Sequence, residues 1–123
     1  MKKYFKNKKV LITGNTGFKG SWLSLWMHYY GAKVLGISGK ILSSPSNFKV
    51  LGLSKKIKFK KIDIRESKKL SREIKNFKPD FVFHLAAEAI VKRAYENPKK
   101  TWETNAMGTI NVLESIKQLN NNV

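Results

Sequence analysis

TGNTGFKGSWL, residues Thr13 to Leu23, follows the apolar run Val10-Leu11-Ile12 and places glycines at 14, 17 and 20. Three residues without side chains, at the point where a strand turns into a helix, answer three steric demands. Gly14 permits the tight turn out of the strand. Gly17 lets main chain approach a pyrophosphate, and Gly20 lets the helix pack closely behind. The helix start then offers free N–H groups and the positive end of its dipole to an anion. Phosphate binding is therefore expected at Gly14, Asn15, Thr16, Gly17, Phe18, Lys19 and Gly20.

Working outward, Lys9–Thr13 is expected as a buried strand and Lys19–Tyr30 as a helix stopped by Gly31. That helix is apolar over most of its circumference. Ser21, Ser24 and His28 read as its solvent stripe, and Trp22 and Trp26 as core packing. Further strands are expected at Lys33–Ser38, Ile57–Ile64 and Asp80–Ala86. A helix over Ser67–Asn76 carries Leu70, Ile74 and Phe77 on one face. A long helix from Pro98 to Leu119 is expected to bury Trp102, Ala106, Ile110, Leu113 and Ile116 or their neighbours. Strands alternating with helices imply an α/β fold with a parallel sheet. Asn120–Val123 reads as the entry to a fifth strand.

Composition narrows the function. No run of about eighteen apolar residues is present, so no membrane span is expected. The basic N-terminus is not followed by the apolar stretch and small-residue cleavage site of a signal peptide. With no cysteine there are no disulfides or thiolate metal sites, which fits a reducing cytoplasm. The net charge of +17 comes from 25 basic residues, 22 of them lysine, spread over almost the whole chain. Base readout and phosphate clamps favour arginine, so the excess reads as a solvated surface that favours anionic ligands, not as a dedicated nucleic-acid face.

Further residues extend the glycine pattern. The G-x-x-G-x-x-G spacing, Asp63-Ile64-Arg65 at the end of the third strand, His84-Leu85-Ala86-Ala87 at the end of the fourth, and Thr104-Asn105 with Gly108-Thr109 follow in order. Together they resemble the extended short-chain dehydrogenase/reductase family and cover almost the whole chain. Gly17 to Leu23, and His84 to Thr109 with Val91, Tyr95, Pro98 and Thr101, are similar to the group of CDP-glucose 4,6-dehydratases. Asn15 and Glu88-Ala89 depart from that group, which more often has His and Gln-Pro there. The resemblance implies a Rossmann-like sheet of order 3-2-1-4, incomplete, with strand three as a lysine-guarded edge. It implies that Asp63 and Ile64 meet the adenine and that Leu85, Ala86, Ala87 and Asn105 lie against the cofactor. The cofactor so implied is NAD. Ser38 and Lys40, where an acid would select NAD, leave NADP open.

In this family hydride leaves C4 of a nucleotide-linked glucose, here CDP-glucose, water is eliminated across C5 and C6, and hydride returns to C6. The family's Ser or Thr and its Tyr-x-x-x-Lys have no counterpart in residues 1–123. Tyr4/Lys8, Tyr29/Lys33 and Tyr95/Lys99 match the spacing but sit before the first strand, across the Gly31 stop, and around Pro98. No catalytic residue and no metal ligand is therefore assigned. His84 reads as a packed, hydrogen-bonded residue and His28 as surface. The chain is expected to be one truncated NAD(P)-binding domain without a substrate domain, inactive alone, with a C-terminal half-chain or a second copy as partner. The alternatives are a dinucleotide-sensing module without catalysis and a basic nucleic-acid-binding domain, which salt would dissociate steeply.

Overall fold

Val10 and Ile12 project from one side of the first strand and Leu11 from the other, and all three are fully buried. A strand buried on both faces belongs at the centre of a layered sheet. In the computed structural model, which describes residues 1–41 and 43–119, this strand is β1 (Lys9–Thr13). It is flanked by β2 (Lys33–Ser38) and β4 (Phe81–His84), with β3 (Lys58–Lys61) outside β2. All pairings are parallel and the order is β3-β2-β1-β4, the expected arrangement. Leu11 stands opposite both Leu35 and Val82 in the two central ladders.

Two cores follow from the two faces. On one, Val10, Ile12 and Val34 pack with Met27 of α2 (Phe18–Tyr29), Phe48 of the short helix α3 (Asn47–Val50), Leu53 and Ile57. Phe5 of the N-terminal turn α1 (Lys2–Phe5) joins there, tilted against Phe81 with ring centroids 5.2 Å apart. On the other face, Leu11, Leu35, Ile37, Ile62 and Ile64 meet Leu70 and Ile74 of α4 (Ser67–Phe77) and Val112 of the last helix. No helix among the described residues is long and apolar enough to cross a membrane.

Several elements differ from the sequence reading. The third strand shortens from 57–64 to Lys58–Lys61: the Ile57 N–H turns back to the Leu53 carbonyl, and Ile62 keeps a single bond to the Ser38 carbonyl just past the strand. The fourth shortens from 80–86 to Phe81–His84. A helix absent from the reading, α5 (Val91–Glu96), precedes α6 (Pro98–Trp102). The long helix starts at Pro98 as expected, then widens into a π turn (Glu103–Met107) before α7 (Gly108–Lys117). Its buried line is Gly108, Val112 and Ser115, while Trp102, Ile110 and Leu113 are exposed. Helix α2 reverses its expected sides in the same way: Ser21 and Ser24 are fully buried, whereas Trp22 and Trp26 face solvent. His28, expected at the surface, is half-buried. Residues 120–123, read as the entry to a fifth strand, lie outside the described residues. Among the described residues the far side of β4 has no strand partner.

Candidate functional site

The order β3-β2-β1-β4 places the point of reversal between β1 and β4, with a crevice at the carboxyl ends of the strands. Each strand end contributes. Gly14 has φ +73°, the left-handed turn that only glycine adopts without strain. A Cβ there would also stand 2.6 Å from the Ala86 nitrogen, so the turn touches the end of β4 main chain to main chain. Gly20 closes the other side, because a Cβ on it would run into the Gly14 carbonyl. Gly17 differs from both: a Cβ there would meet only the Gly14 carbonyl oxygen, at 3.3 Å, and otherwise open space. Gly17 is the N-cap of α2 and no side chain caps that helix. The first N–H groups of α2, which have no acceptor one turn back, are left to whatever occupies that space.

The resulting cleft has a volume of about 450 Å³, within the range of small-molecule sites. Gly14, Thr16 and Gly17 line it from the first turn, Ser38, Gly39 and Lys40 from the second, and Lys61, Asp63, Ile64, Arg65 and Glu66 from the third. Leu85, Ala86, Ala87 and Glu88 follow from the fourth, with Lys100 and Thr104 from the helix above. Among the residues singled out from the sequence, Gly14, Thr16, Gly17, Ser38, Asp63, Ile64, Leu85, Ala86 and Ala87 are thus brought together. Asn15 and Gly20 are buried behind the turn, and the Phe18 and Lys19 side chains point outward. Asn105 acts at one remove, its amide accepting from Glu88 N–H at 2.8 Å and donating to Glu88 C=O at 3.1 Å. Lys61 and Lys100 were missed. The signal for Lys61 was its place at the end of the third strand, obscured by its reading as one of several edge lysines.

The charges are arranged by neighbours. Arg65 donates to Asp63 from Nε at 3.0 Å and Nη2 at 2.7 Å, and its main-chain N–H adds a third bond at 3.0 Å. These hydrogen bonds, with Arg65 first, outweigh partial burial and hold the Asp63 carboxyl below the usual range. Asp63 is an ionised acceptor at neutral pH. Behind it, Thr13 Oγ1 accepts from the Leu85 and Ala86 N–H groups and lies 2.6 Å from His84 Nδ1. With its lone pairs so used, the hydroxyl donates to Nδ1, which puts the imidazole proton on Nε2, 3.0 Å from Thr109 Oγ1. Thr109 in turn donates to the Asn105 carbonyl at 2.6 Å. Burial lowers the His84 pKa, in keeping with this neutral form. Tyr4, Tyr29 and Tyr95 are all exposed and none lines the cleft.

A sequence profile described as GDP-mannose 4,6 dehydratase matches residues 11–123. The chain belongs to this family. It is 44% identical over 120 residues to a CDP-glucose 4,6-dehydratase of Salmonella typhimurium, covering 98% of this chain and 33% of the relative. An epimerase from Methanothermobacter thermautotrophicus superposes with a TM-score of 0.84 and 34% identity, over 97% of this chain and 34% of that one. A UDP-glucose 4-epimerase from Thermus thermophilus, solved in complex with NAD, gives a TM-score of 0.79 and 31% identity. It covers 89% of this chain, which in turn spans 34% of that one. The chain thus spans about a third of the length of these relatives, and corresponds to the Rossmann-type region of sugar-nucleotide dehydratases and epimerases.

Proposed function

We infer that this chain is the dinucleotide-binding portion of a nucleotide-sugar 4,6-dehydratase acting on CDP-glucose. The observation that carries the reading is the open space over Gly17, bordered by an uncapped helix start and lined by all four strand ends. Such a cradle suits a dinucleotide. Gly14 and Gly17 would bring main chain to the pyrophosphate, and the start of α2 would stabilise its charge. Asp63, held ionised, would accept from the adenine amino group beside Ile64, and the small Ala86 and Ala87 would let the cofactor lie close. Once bound, the dinucleotide supplies hydride uptake and return. The chain's own part is to bind and orient it. His84, with both nitrogens engaged, holds β4 to the helix and moves no proton. Proton transfers to the sugar and the binding of CDP-glucose would fall to the part of the relatives' length that this chain does not span.

The test is calorimetric titration of the purified chain with NAD and NADP, with CDP-glucose turnover assayed in parallel. Binding without turnover is expected. Gly17→Val should abolish binding while circular dichroism shows unchanged helix content, since its side chain projects into space and not into the fold. Equal affinity of mutant and parent would sink the assignment.

A further inference from the structure

Helix α2 carries an aromatic stripe on the side turned away from the sheet. At 3.6 residues per turn, Phe18, Trp22, Trp26 and Tyr29 fall within about 80° of one another, opposite Gly20, Ser24 and Met27. They are 73%, 41%, 58% and 67% exposed. A strand or helix added along the sheet would pack beside α2 and not over it, so the layer ends at this stripe. Large aromatics aligned on one exposed face, unlike scattered ones, mark an interaction surface.

The charge around it is of one sign. Residues 1–62 hold 14 of the 25 basic residues, all of them lysine, and none of the eight acidic ones. The helices on this side of the sheet, α1, α2 and α3, all come from that segment. Of its lysines, only Lys8 and Lys60 form ion pairs among the described residues, with Asp80 and Glu73. Lys19 is exposed in the first turn of α2, and Lys49 is exposed on α3. At the other end, α1 is tied to the stop of α2. The Asn7 N–H donates to the Gly31 carbonyl at 2.9 Å, and Phe5 stacks on Tyr30 with ring centroids 6.3 Å apart. Exposed Lys2, Lys3, Tyr4 and Lys6 therefore sit at the Tyr29 end of the stripe.

Tryptophan and tyrosine ringed by lysine suit a membrane interface. The rings settle at the level of the headgroups, while the ammonium groups reach anionic phosphates. A second copy docked on the stripe would set the same cations against each other, which weakens pairing. Proteins that stack single-stranded bases on aromatics track the backbone in a groove, whereas this stripe rides on the outer crest of a helix.

We propose that the outward face of α2, with the lysines around it, docks on a lipid surface bearing anionic headgroups. This is independent of the dinucleotide reading, since no residue of the stripe lines the cleft. The test is co-sedimentation of the purified chain with vesicles of phosphatidylcholine alone and of phosphatidylcholine mixed with phosphatidylglycerol. Binding is expected to the mixed vesicles, with little to the neutral ones, and it should fall as salt is raised. Trp22→Ser combined with Trp26→Ser should weaken it about tenfold or more. Lys2→Gln and Lys3→Gln should weaken it about fivefold each. All four side chains are exposed, so circular dichroism should not change. Tryptophan emission should shift to the blue when the parent meets mixed vesicles, and should stay in place for the double tryptophan variant, which keeps only Trp102. Equal binding by parent and double variant overturns the proposal, as general attraction to a chain of net charge +17. Equal binding to neutral and mixed vesicles overturns it too. Absence of vesicle binding overturns it whatever else the face takes. A dimer that the double variant dissociates would then name a second copy, and an oligonucleotide bound with the same tryptophan dependence would name nucleic acid.

Discussion

Helix α4 turns Leu70 and Ile74 into the core and leaves Lys68, Lys69 and Lys75 in water. Helix α2 instead turns Gly20, Ser21, Ser24 and Met27 inward and leaves Phe18, Trp22, Trp26 and Tyr29 outside. The difference comes from what each helix must reach. α4 only has to cover one face of the sheet, so the pattern of its apolar residues sets its orientation. α2 must begin at the glycine turn, in main-chain contact with Gly14, and bulky side chains on that face would hold it away. Its serines do not oppose burial, because each hydroxyl is satisfied by its own helix. Ser21 donates to the Phe18 carbonyl at 2.9 Å and Ser24 to the Gly20 carbonyl at 2.7 Å. α7 follows α2, with Gly108 against Ile64 and Ser115 bonded to the Asn111 carbonyl.

If contact distance rules α2 and apolar packing rules α4, opposite substitutions should damage them. The largest effect is expected for Gly20→Leu, which forces a side chain into the Gly14 main chain and should cost more than about 4 kcal/mol in urea unfolding. Leu70→Ala should cost about 2–5 kcal/mol by leaving a cavity under α4. A mild Gly20→Leu variant would show that α2 can back away from the turn and would erase the contrast. The smallest effect is expected for Trp26→Lys. Its unfolding free energy should move by less than about 0.5 kcal/mol, while light scattering shows less self-association than for the parent. A loss comparable to that of Leu70→Ala would mean that the aromatic face packs in solution after all.

This contrast also marks what could be read without coordinates. The strands, the glycine turn and α4 were legible because each rests on a local rule: β-branched runs, glycine spacing, one apolar stripe; the strand order followed from the family resemblance. The inward faces of α2 and α7 were not. Hydrophobicity alone assigns Trp22, Trp26 and Leu113 to a core, and it carries no term for a serine that bonds its own helix or a glycine that lets a neighbour approach. The π turn at Glu103–Met107 adds a further shift, since it changes the phase between Trp102 and everything beyond it. In the cleft, residues that act through the main chain were visible as glycines. Lys61 and Lys100 were lost among twenty other lysines, and only the meeting of the strand ends distinguishes them.

The row of bonds from Thr13 through His84 and Thr109 to the Asn105 carbonyl has a direction. It begins at a hydroxyl that already receives two N–H groups and ends at a carbonyl that can only receive, so every hydrogen along it points the same way. Such a row has one setting. Adding a proton to His84 would set two donors against each other at Nδ1, and Thr13 could yield only by turning its hydrogen toward the Leu85 and Ala86 amides. The histidine at the mouth of β4 is therefore a rivet between strand, turn and helix.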